Sequence, residues 1–229
     1  MTKPAKRRAG RPRRDDIDIA RTTTWAWAAL HQSGLSQRAL DKRFGGASSG
    51  IWSRYSAGVV APSEARVAAV EEIYPGTARY YLSPMWAGMR PHLLGKQAPR
   101  TIFECLDEPL RSRFIQPPSG PNAIFWRREG NPGDDLNWLM EVTRAGKQPF
   151  DVATALVAMT NEAALMQNRS YLAACSEAWA GFFRYLSLYP MGYMPDDVLE
   201  YFGRSIYECV RDHPFLQRRE SVALKVFGD

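Results

Sequence analysis

A run of basic side chains near the N-terminus is the first part of this sequence whose residue types can do chemistry. Residues 6–14, KRRAGRPRR, carry six positive charges in nine positions and no negative one. Such a run binds polyanions, because cationic side chains that neutralise phosphates release the counterions condensed around them. The run alone does not distinguish a solvated tail from an arm that enters the groove of a nucleic acid.

The excess charge of the chain is concentrated in this N-terminal arm. Residues 1–14 hold seven of the 30 basic residues and no acid. The rest of the chain holds 23 basic and all 24 acidic residues, so it carries −1 against a total of +6. The sequence therefore predicts a nearly neutral body with a basic arm that attracts a polyanion.

Length and composition bound the class of protein. The 229 residues are 45% apolar and 12% aromatic, which is ample material for a packed core and excludes global disorder. The longest apolar runs are too short to span a bilayer, and the basic N-terminus lacks the apolar stretch of a signal peptide. We therefore expect a cytoplasmic, nucleoid-associated protein with no membrane partner.

Residue types that support catalysis or metal binding are sparse. The histidines and cysteines do not have zinc-like spacing, and a P-loop, HExxH or GxSxG motif is absent from the sequence. Reduced, mostly buried thiols are expected for the three cysteines, Cys105, Cys175 and Cys209. Paired aspartates at 134–135 and 196–197 are interpreted as acidic helix starts rather than metal ligands. The sequence predicts no enzyme activity, no cofactor and no metal.

The chain divides into four predicted regions, and the fold class is predicted to be mainly α. Residues 1–19 are a flexible arm, and residues 20–90 are a four- to five-helix domain. Residues 91–133 are rich in turn formers and predicted irregular, with a short helix near 107–114 and a strand near 123–127. Residues 134–229 are predicted to form a helical bundle.

Apolar periodicity supports that bundle. One helical stripe steps by 3 and 4 through Leu172, Cys175, Trp179, Phe182 and Leu186. A second stripe has Asp151 as its expected N-cap and runs through Val152, Leu156, Met159, Ala163 and Met166. A third helix is expected from Asp196 or Asp197, with its buried side made of Val198, Phe202, Ile206 and Cys209.

Residues 20–75 show shorter helical patterns separated by glycine and proline. A first helix is predicted over 22–32, with Thr22 to Thr24 as capping candidates and Ser33-Gly34 at its end. A second is capped by Ser36, a third spans about 49–56, and a fourth covers 64–74. The side chains expected to face the core are Leu40, Phe44, Ile51, Trp52, Tyr55, Val67, Val70 and Ile73.

This layout resembles the lambda-repressor-like (XRE-type) helix-turn-helix family, over about a quarter of the chain. The residues that carry the resemblance are Leu35, Ser36, Gln37, Leu40, Phe44, Gly45, Ile51, Gly58, Pro62 and Ser63. The resemblance implies that the second and third helices form the helix-turn-helix and that the third lies in the major groove of DNA.

Candidate DNA contacts follow from that resemblance. Gln37, at a helix N-terminus, is suited to donate a hydrogen bond to a phosphate oxygen. Arg38, Lys42 and Arg43 lie on the same helix, where they are expected to meet the DNA backbone. The outward positions expected around the third helix are Ser48, Ser49, Ser53 and Arg54. Small hydroxyls allow close approach to base edges, and arginine can make a bidentate contact with guanine.

The sequence also departs from the family pattern. One more residue than expected lies between Gly45 and Gly58, so either Ile51 or Trp52 can fill the core position. Asp41 stands where the family usually has alanine. A small helical domain that has the pattern without binding DNA remains the alternative interpretation.

The basic arm has a resemblance of its own. RAGRPRR is similar to an AT-hook, an extended element that inserts arginine into the narrow minor groove of A·T-rich DNA. The candidate contacts are Arg8, Gly10, Arg11, Pro12 and Arg13. Ala9 replaces the arginine that usually precedes the glycine, so the match is partial. About eight residues are expected between Arg14 and the first helix.

The sequence thus predicts a sequence-specific DNA-binding protein, a repressor-like transcriptional regulator that acts as a homodimer on double-stranded DNA. The alternative is a DNA-targeted component or effector of a mobile-element or phage-defence system. In that case the C-terminal helices dock a protein partner or carry an unrecognised activity. The dense aromatic segment at residues 179–194 is interpreted as core, with a partner surface as the second possibility.

Overall fold

The structure is a computed structural model that describes residues 14–44, 49–90, 99–116, 127–146 and 148–188, with side chains as far as residue 185. Within these ranges the regular structure is helical, apart from one isolated antiparallel bridge between Ile115 and Arg127. The predicted mainly α fold is confirmed. Of the strand expected near residues 123–127, only Arg127 lies in the described part.

Five helices form the N-terminal part: α1 (Asp16–Ser33), α2 (Gln37–Phe44), α3 (Ile51–Ser56), α4 (Glu64–Ile73) and α5 (Arg79–Leu82). Three short helices follow: α6 (Met85–Gly88), α7 (Pro99–Glu104) and α8 (Leu110–Phe114). The longest C-terminal helices are α9 (Pro132–Arg144), α10 (Pro149–Leu165) and α11 (Arg169–Leu188). The helix predicted near 107–114 is thus present, whereas α7 lies in a region that was predicted irregular.

The start of α1 differs from the prediction. The helix begins at Asp16, and the carboxylate of Asp15 caps it by accepting a hydrogen bond from the Ile17 N–H at 3.0 Å. The predicted caps, Thr22 to Thr24, are instead buried in the middle of the helix. The predicted arm is therefore too long, since residues 16–19 are helical and only Asp15 separates Arg14 from α1. Acidic residues that resemble a polar loop are here stabilised by the free N–H groups of the helix start.

The smaller of two hydrophobic cores lies among α1 to α5. Its centre is an aromatic cluster in which Trp25 stacks on Trp52 with ring centroids 5.3 Å apart. Tyr55 and Tyr81 meet the Trp25 ring edge-on. Leu40, Val67 and Val70 complete the packing as predicted, but Ile73 is 40% exposed because it lies in the last turn of α4.

The larger core surrounds α10, which is buried on nearly all sides by α6, α7, α9 and α11. Both predicted stripes pack here: Val152, Leu156, Met159, Ala163, Leu172, Cys175, Trp179 and Phe182. Met166 was predicted buried but is 63% exposed, because α10 ends at Leu165. Asp151 is not the N-cap of α10, since the helix begins two residues earlier at Pro149. The helix expected from Asp196 or Asp197 and the side chain of Leu186 lie outside the described part.

Helix α1 belongs to both cores. Its first turns place Ile17 and Ala20 in the larger core, and its later turns place Trp25 and Leu30 in the smaller one. The predicted boundary at residue 90 is not where the cores separate, because Met85 already packs in the larger core. The two cores are therefore connected through a shared, continuous helix.

The thiols and the helix lengths complete the description. Cys175 is buried, and burial raises its pKa to about 12. Cys105 is exposed, contrary to the expectation for most cysteines, and Cys209 lies outside the described part. Among the described helices, none combines the length and the apolar character needed to cross a membrane.

Candidate nucleic-acid interface

Helices α2 and α3 carry six of the thirteen predicted contact residues, and α2 is placed by local capping. α1 ends at Gly34, whose left-handed backbone (φ 64°) turns the chain towards α2. The Ser36 hydroxyl then accepts a hydrogen bond from the Ala39 N–H at 3.3 Å. Fully buried Leu40 fixes which side of α2 faces the core. The polar side of α2 consequently faces solvent.

The register of α3 is set by Trp52. Its side chain is fully buried and stacked on Trp25, whereas Ile51 is only partly buried. Trp52 therefore fills the core position that the sequence left open between these two residues. The residues of α3 that remain exposed are Ser53 and Arg54, followed by Ala57.

Asp41 links α2 to the beginning of α3. It is only 6% exposed, and one carboxylate oxygen accepts hydrogen bonds from the Ser49 hydroxyl at 2.9 Å and from the Trp52 N–H at 3.2 Å. The Ser49 hydroxyl also accepts from the Ile51 N–H at 3.3 Å. Ser49 is exposed, but its hydroxyl is engaged within the protein, so it is less suited to a base contact than Ser53.

The cations among the candidate DNA contacts on α2 and α3 are exposed. Arg38, Lys42, Arg43 and Arg54 all face solvent, and none of them makes a salt bridge with another described residue. Arg43 lies over the ring of Tyr74, 5.5 Å from its centroid. Gln37 is half-buried at the start of α2. From residue 36 to residue 58 the sequence holds four basic residues and a single acid, the buried Asp41.

Arg66 of α4 contacts the C-terminal end of α2. Its guanidinium donates to the carbonyl of Phe44 at the end of α2. Burial raises the pKa of Tyr55, although the nearby Arg66 opposes the rise. A cation in this position satisfies a carbonyl at a helix end, where backbone acceptors lack an intrahelical partner.

Arg14, the last residue of the basic run, is anchored beside the end of α3. Its guanidinium donates to the carbonyl of Gly58 at 2.7 Å, to the carbonyl of Asp18 at 2.8 Å and to the Thr22 hydroxyl at 2.8 Å. Gly58 lies against α1 so closely that an added Cβ would be 2.4 Å from Ile19 Cγ2. Arg14 therefore links the chain just before α1 to the turn that follows α3.

Several predicted contacts lie outside the described residues: Arg8, Gly10, Arg11, Pro12, Arg13 and Ser48. Sequence analysis in turn missed Asp41, Arg66 and Arg14 as residues that hold the interface together. Asp41 was noticed as a departure from a family pattern, which was the one available signal. The contacts of Arg14 with Gly58 and of Arg66 with Phe44 join residues 44 and 22 positions apart, so no local pattern marks them.

Two further features concern the rest of the molecule. A groove of about 520 Å³ lies between α9 and α11, with Met140, Ala178 and Gly181 among its lining residues. Across the described ranges, His, Cys, Asp and Glu side chains do not form a group of three or more that could hold a metal ion.

Comparison with known proteins adds no family to this description. No family model matches the chain, and no curated protein or solved structure matches it significantly.

Proposed function

We propose that this chain is a sequence-specific DNA-binding protein of the repressor-like kind, a regulator of transcription with an XRE-type helix-turn-helix. The observation that carries the proposal is the anchoring of Arg14 on Gly58. It brings Arg14, the last residue of the basic arm, to the end of α3. Two elements suited to DNA, one for each groove, thereby adjoin on a common scaffold.

Helix α3 is the proposed reading element in the major groove. Its diameter with side chains, about 10–12 Å for any α-helix, matches a groove about 12 Å wide. Ser53 and Arg54 point away from the core and carry the groups suited to base edges. Arg54 is the residue we assign to a guanine, through a bidentate contact with its O6 and N7 atoms.

The cations of α2 are proposed to position the protein on phosphates. Arg38, Lys42 and Arg43 are exposed and without a carboxylate partner in the described structure, so their charges are available to a polyanion. Gln37, in the first turn of α2, can donate to a phosphate oxygen near the free N–H groups there. Such contacts give affinity and register, whereas sequence reading depends on α3.

The arm is proposed to reach an adjacent minor groove. Arg8 lies six residues before Arg14, which allows a span of at most about 20 Å of extended chain. That is sufficient to pass from the edge of one groove into the next, as homeodomain arms do. The arm then contributes affinity and a preference for A·T pairs, because narrow A·T grooves attract arginine.

The C-terminal helices are proposed to hold a second copy of the chain. A single helix-turn-helix covers little DNA, and two copies on adjacent half-sites give useful affinity. Since α1 belongs to both cores, a dimer built on the larger core would hold two α3 helices at a fixed separation. The expected target is a palindrome with half-sites about one or more helical turns apart.

The test begins with selection of bound fragments from random duplex DNA, followed by affinity measurements over a range of salt concentrations. Removal of residues 1–13, which retains Arg14, should lower the slope of log affinity against log salt by about 0.9 for each lost phosphate contact. Arg54→Gln should reduce affinity by about 5- to 150-fold and relax the preference at one base pair.

Arg100→Gln is the matched control, because Arg100 is an exposed arginine on α7 that pairs with Glu104. It should leave affinity and salt slope unchanged. If truncation and Arg54→Gln both bind the selected duplex as the wild type does, the proposed function is wrong.

A further inference from the structure

The N-cap residue of α3 provides no side-chain cap for the helix. Gly50 occupies the N-cap position, has a left-handed backbone and offers no side chain to the free N–H groups of the first turn. Helices usually begin at Ser, Thr, Asp or Asn because a side-chain oxygen there accepts one of these N–H groups. In α3 the Ile51 N–H is accepted by the Ser49 hydroxyl at 3.3 Å, whereas the acceptor of the Trp52 N–H comes from another helix, since Asp41 of α2 accepts it at 3.2 Å.

This contact joins the two helices of the helix-turn-helix at one buried atom. The same Asp41 oxygen also accepts from the Ser49 hydroxyl at 2.9 Å. It therefore holds both Ser49, two residues before α3, and the first turn of the helix. Asp41 is 6% exposed and has no salt-bridge partner among the described residues. Its charge is therefore stabilised by a hydroxyl, a backbone N–H and the positive end of α3.

Packing alone leaves one freedom that this contact removes. Trp52 anchors α3 against Trp25, but a ring stack tolerates some sliding and rotation of the helix. A hydrogen bond from Asp41 to the Trp52 backbone adds a directional constraint at the N-terminal end of α3. Together, the stack and the hydrogen bond fix where the exposed Ser53 and Arg54 lie relative to α2.

We infer that Asp41 is a positioning residue that sets the orientation of α3 and so determines how well the protein discriminates between DNA sequences. This inference rests on the proposed function and adds to it the residue on which base selectivity depends. Asp41 does not touch DNA in this scheme. Base contacts require placement within a fraction of an ångström, whereas phosphate contacts by flexible cations tolerate looser placement. Loss of the carboxylate should therefore weaken selectivity more than overall affinity.

Three variants test the inference. Asp41→Ala removes the acceptor, whereas Asp41→Asn keeps an oxygen that can accept from both Ser49 and Trp52. Ser56→Ala is the control for stability, because the Ser56 hydroxyl donates to the Trp52 carbonyl at 2.9 Å within α3 and makes no hydrogen bond with Asp41. All three are first checked for helical content and unfolding temperature.

The first measurement is hydrogen exchange of the Trp52 amide without DNA. We expect exchange at least about tenfold faster in Asp41→Ala, and rates near the wild type in Asp41→Asn and Ser56→Ala. The second is affinity for the duplex selected by the wild type and for duplexes with one base pair changed. A wild-type penalty of about 5- to 150-fold per mismatch should fall several-fold in Asp41→Ala, while binding to a scrambled duplex is retained. Asp41→Asn should recover most of the penalty.

Two results would overturn the inference. One is wild-type protection of the Trp52 amide in Asp41→Ala, which would mean that the carboxylate does not hold α3. The other is a loss of discrimination in Asp41→Ala no larger than in Ser56→Ala at equal stability. A wild-type chain that selects no duplex would instead overturn the proposed function and the DNA role of Asp41 with it, while the amide result would still decide whether Asp41 holds α3.

Discussion

Arginines that pack against the larger core form salt bridges with carboxylates. The solvent-facing cations of α2 and α3, in the smaller core, form none with the described residues. Arg113 and Arg127 both bind Asp135 at 2.9 Å, and Arg127 also binds Glu162 at 3.1 Å. The same use of charge recurs where the cores join, in the pairs of Arg79 with Asp107 and Asp151, and of Arg90 with Asp15 and Asp18.

Acids of the smaller core bind backbone N–H groups instead. Asp41 accepts from the Trp52 N–H, and Glu71 accepts from the Gly76 and Ala78 N–H groups at 2.7 and 2.6 Å. These carboxylates hold a helix start and a loop. The exposed cations of α2 and α3 consequently have no carboxylate partner among the described residues.

The contrast separates two uses of a positive side chain. A partly buried guanidinium needs acceptors within the protein, because an unsatisfied charge taken out of water is costly. The arginines around the larger core use carboxylates, whereas Arg14 and Arg66 use backbone carbonyls. An exposed guanidinium is solvated, contributes little to stability and keeps its field in solution.

The largest effect is expected at the paired side of this comparison. The Asp135 side chain is 4% exposed, and its loss leaves Arg113 without its partner and Arg127 with only Glu162. One nitrogen of Arg127, Nη1, is already buried without a hydrogen-bond partner. Asp135→Ala should lower the free energy of unfolding by about 3–5 kcal/mol, measured by urea denaturation.

Two controls define what that result means. Asp134→Ala removes an exposed acid from the same turn of α9 and should change stability by less than about 0.5 kcal/mol. Lys42→Gln, from the unpaired group, should be equally mild. A Lys42→Gln cost as large as that of Asp135→Ala would break the comparison, because the cations of α2 would then be structural.

A second prediction concerns the contact of Gly58, in the turn after α3, with α1. Gly58 has a left-handed backbone (φ +65°), and an added Cβ would be 2.4 Å from Ile19 Cγ2. Gly58→Ala should therefore destabilise the protein by about 3 kcal/mol, from backbone strain and overpacking together. The measurement is again urea denaturation.

Gly34→Ala separates the two contributions. Gly34 has nearly the same backbone (φ +64°), but its added Cβ would meet no atom within 4 Å. It should cost only about 1 kcal/mol, the strain part alone. Equal costs at the two glycines would contradict the close packing of α1 on the turn after α3.

Local patterns predicted much of the fold. The stripe from Leu172 to Phe182, both ends of α2, the end of α3 and the start of α4 follow from helical periodicity and capping residues, so they were predicted correctly. Helix α3 begins at Ile51 rather than near residue 49, and α4 ends at Ile73 rather than at residue 74. The start of α1 was not, because Asp15 and Asp16 have the composition of a loop until the helix they cap is known. Met166 continues the periodicity of α10, yet the helix ends one residue before it.

The exposed side chains of the candidate site could be predicted from the sequence, but the contacts that hold them in place could not. Exposure of Ser53 and Arg54 follows from the pattern of α3 once Trp52 is placed in the core. The contacts of Arg14 with Gly58 and of Asp135 with Arg113 join residues far apart in sequence. Buried charges of this kind have the same sequence signature as surface charges, so only the structure distinguishes them. Contact of Ser53 and Arg54 with DNA stays a prediction.

The smallest effect is expected at Glu71, which sharpens the comparison by testing an acid that binds backbone rather than a cation. Burial opposes its ionisation, but hydrogen bonds from the Ala78 and Gly76 N–H groups outweigh burial and lower its pKa below the ordinary 4.5. An acid with a lowered pKa stabilises the fold above its unfolded-state pKa and loses that effect as pH falls through the folded-state value.

Glu71→Ala should therefore cost about 1 kcal/mol near pH 7 and less near about pH 3, measured by urea denaturation at both values. Glu72→Ala is the matched control, since Glu72 is the exposed neighbour on the same helix, and it should have little effect at either pH. A Glu71→Ala cost that does not change with pH would mean that the side chain acts through packing or helix propensity. In that case the smaller core would not use its acids as charged acceptors for backbone N–H groups, and the contrast with the arginine-bound acids of the larger core would lose one of its two supports.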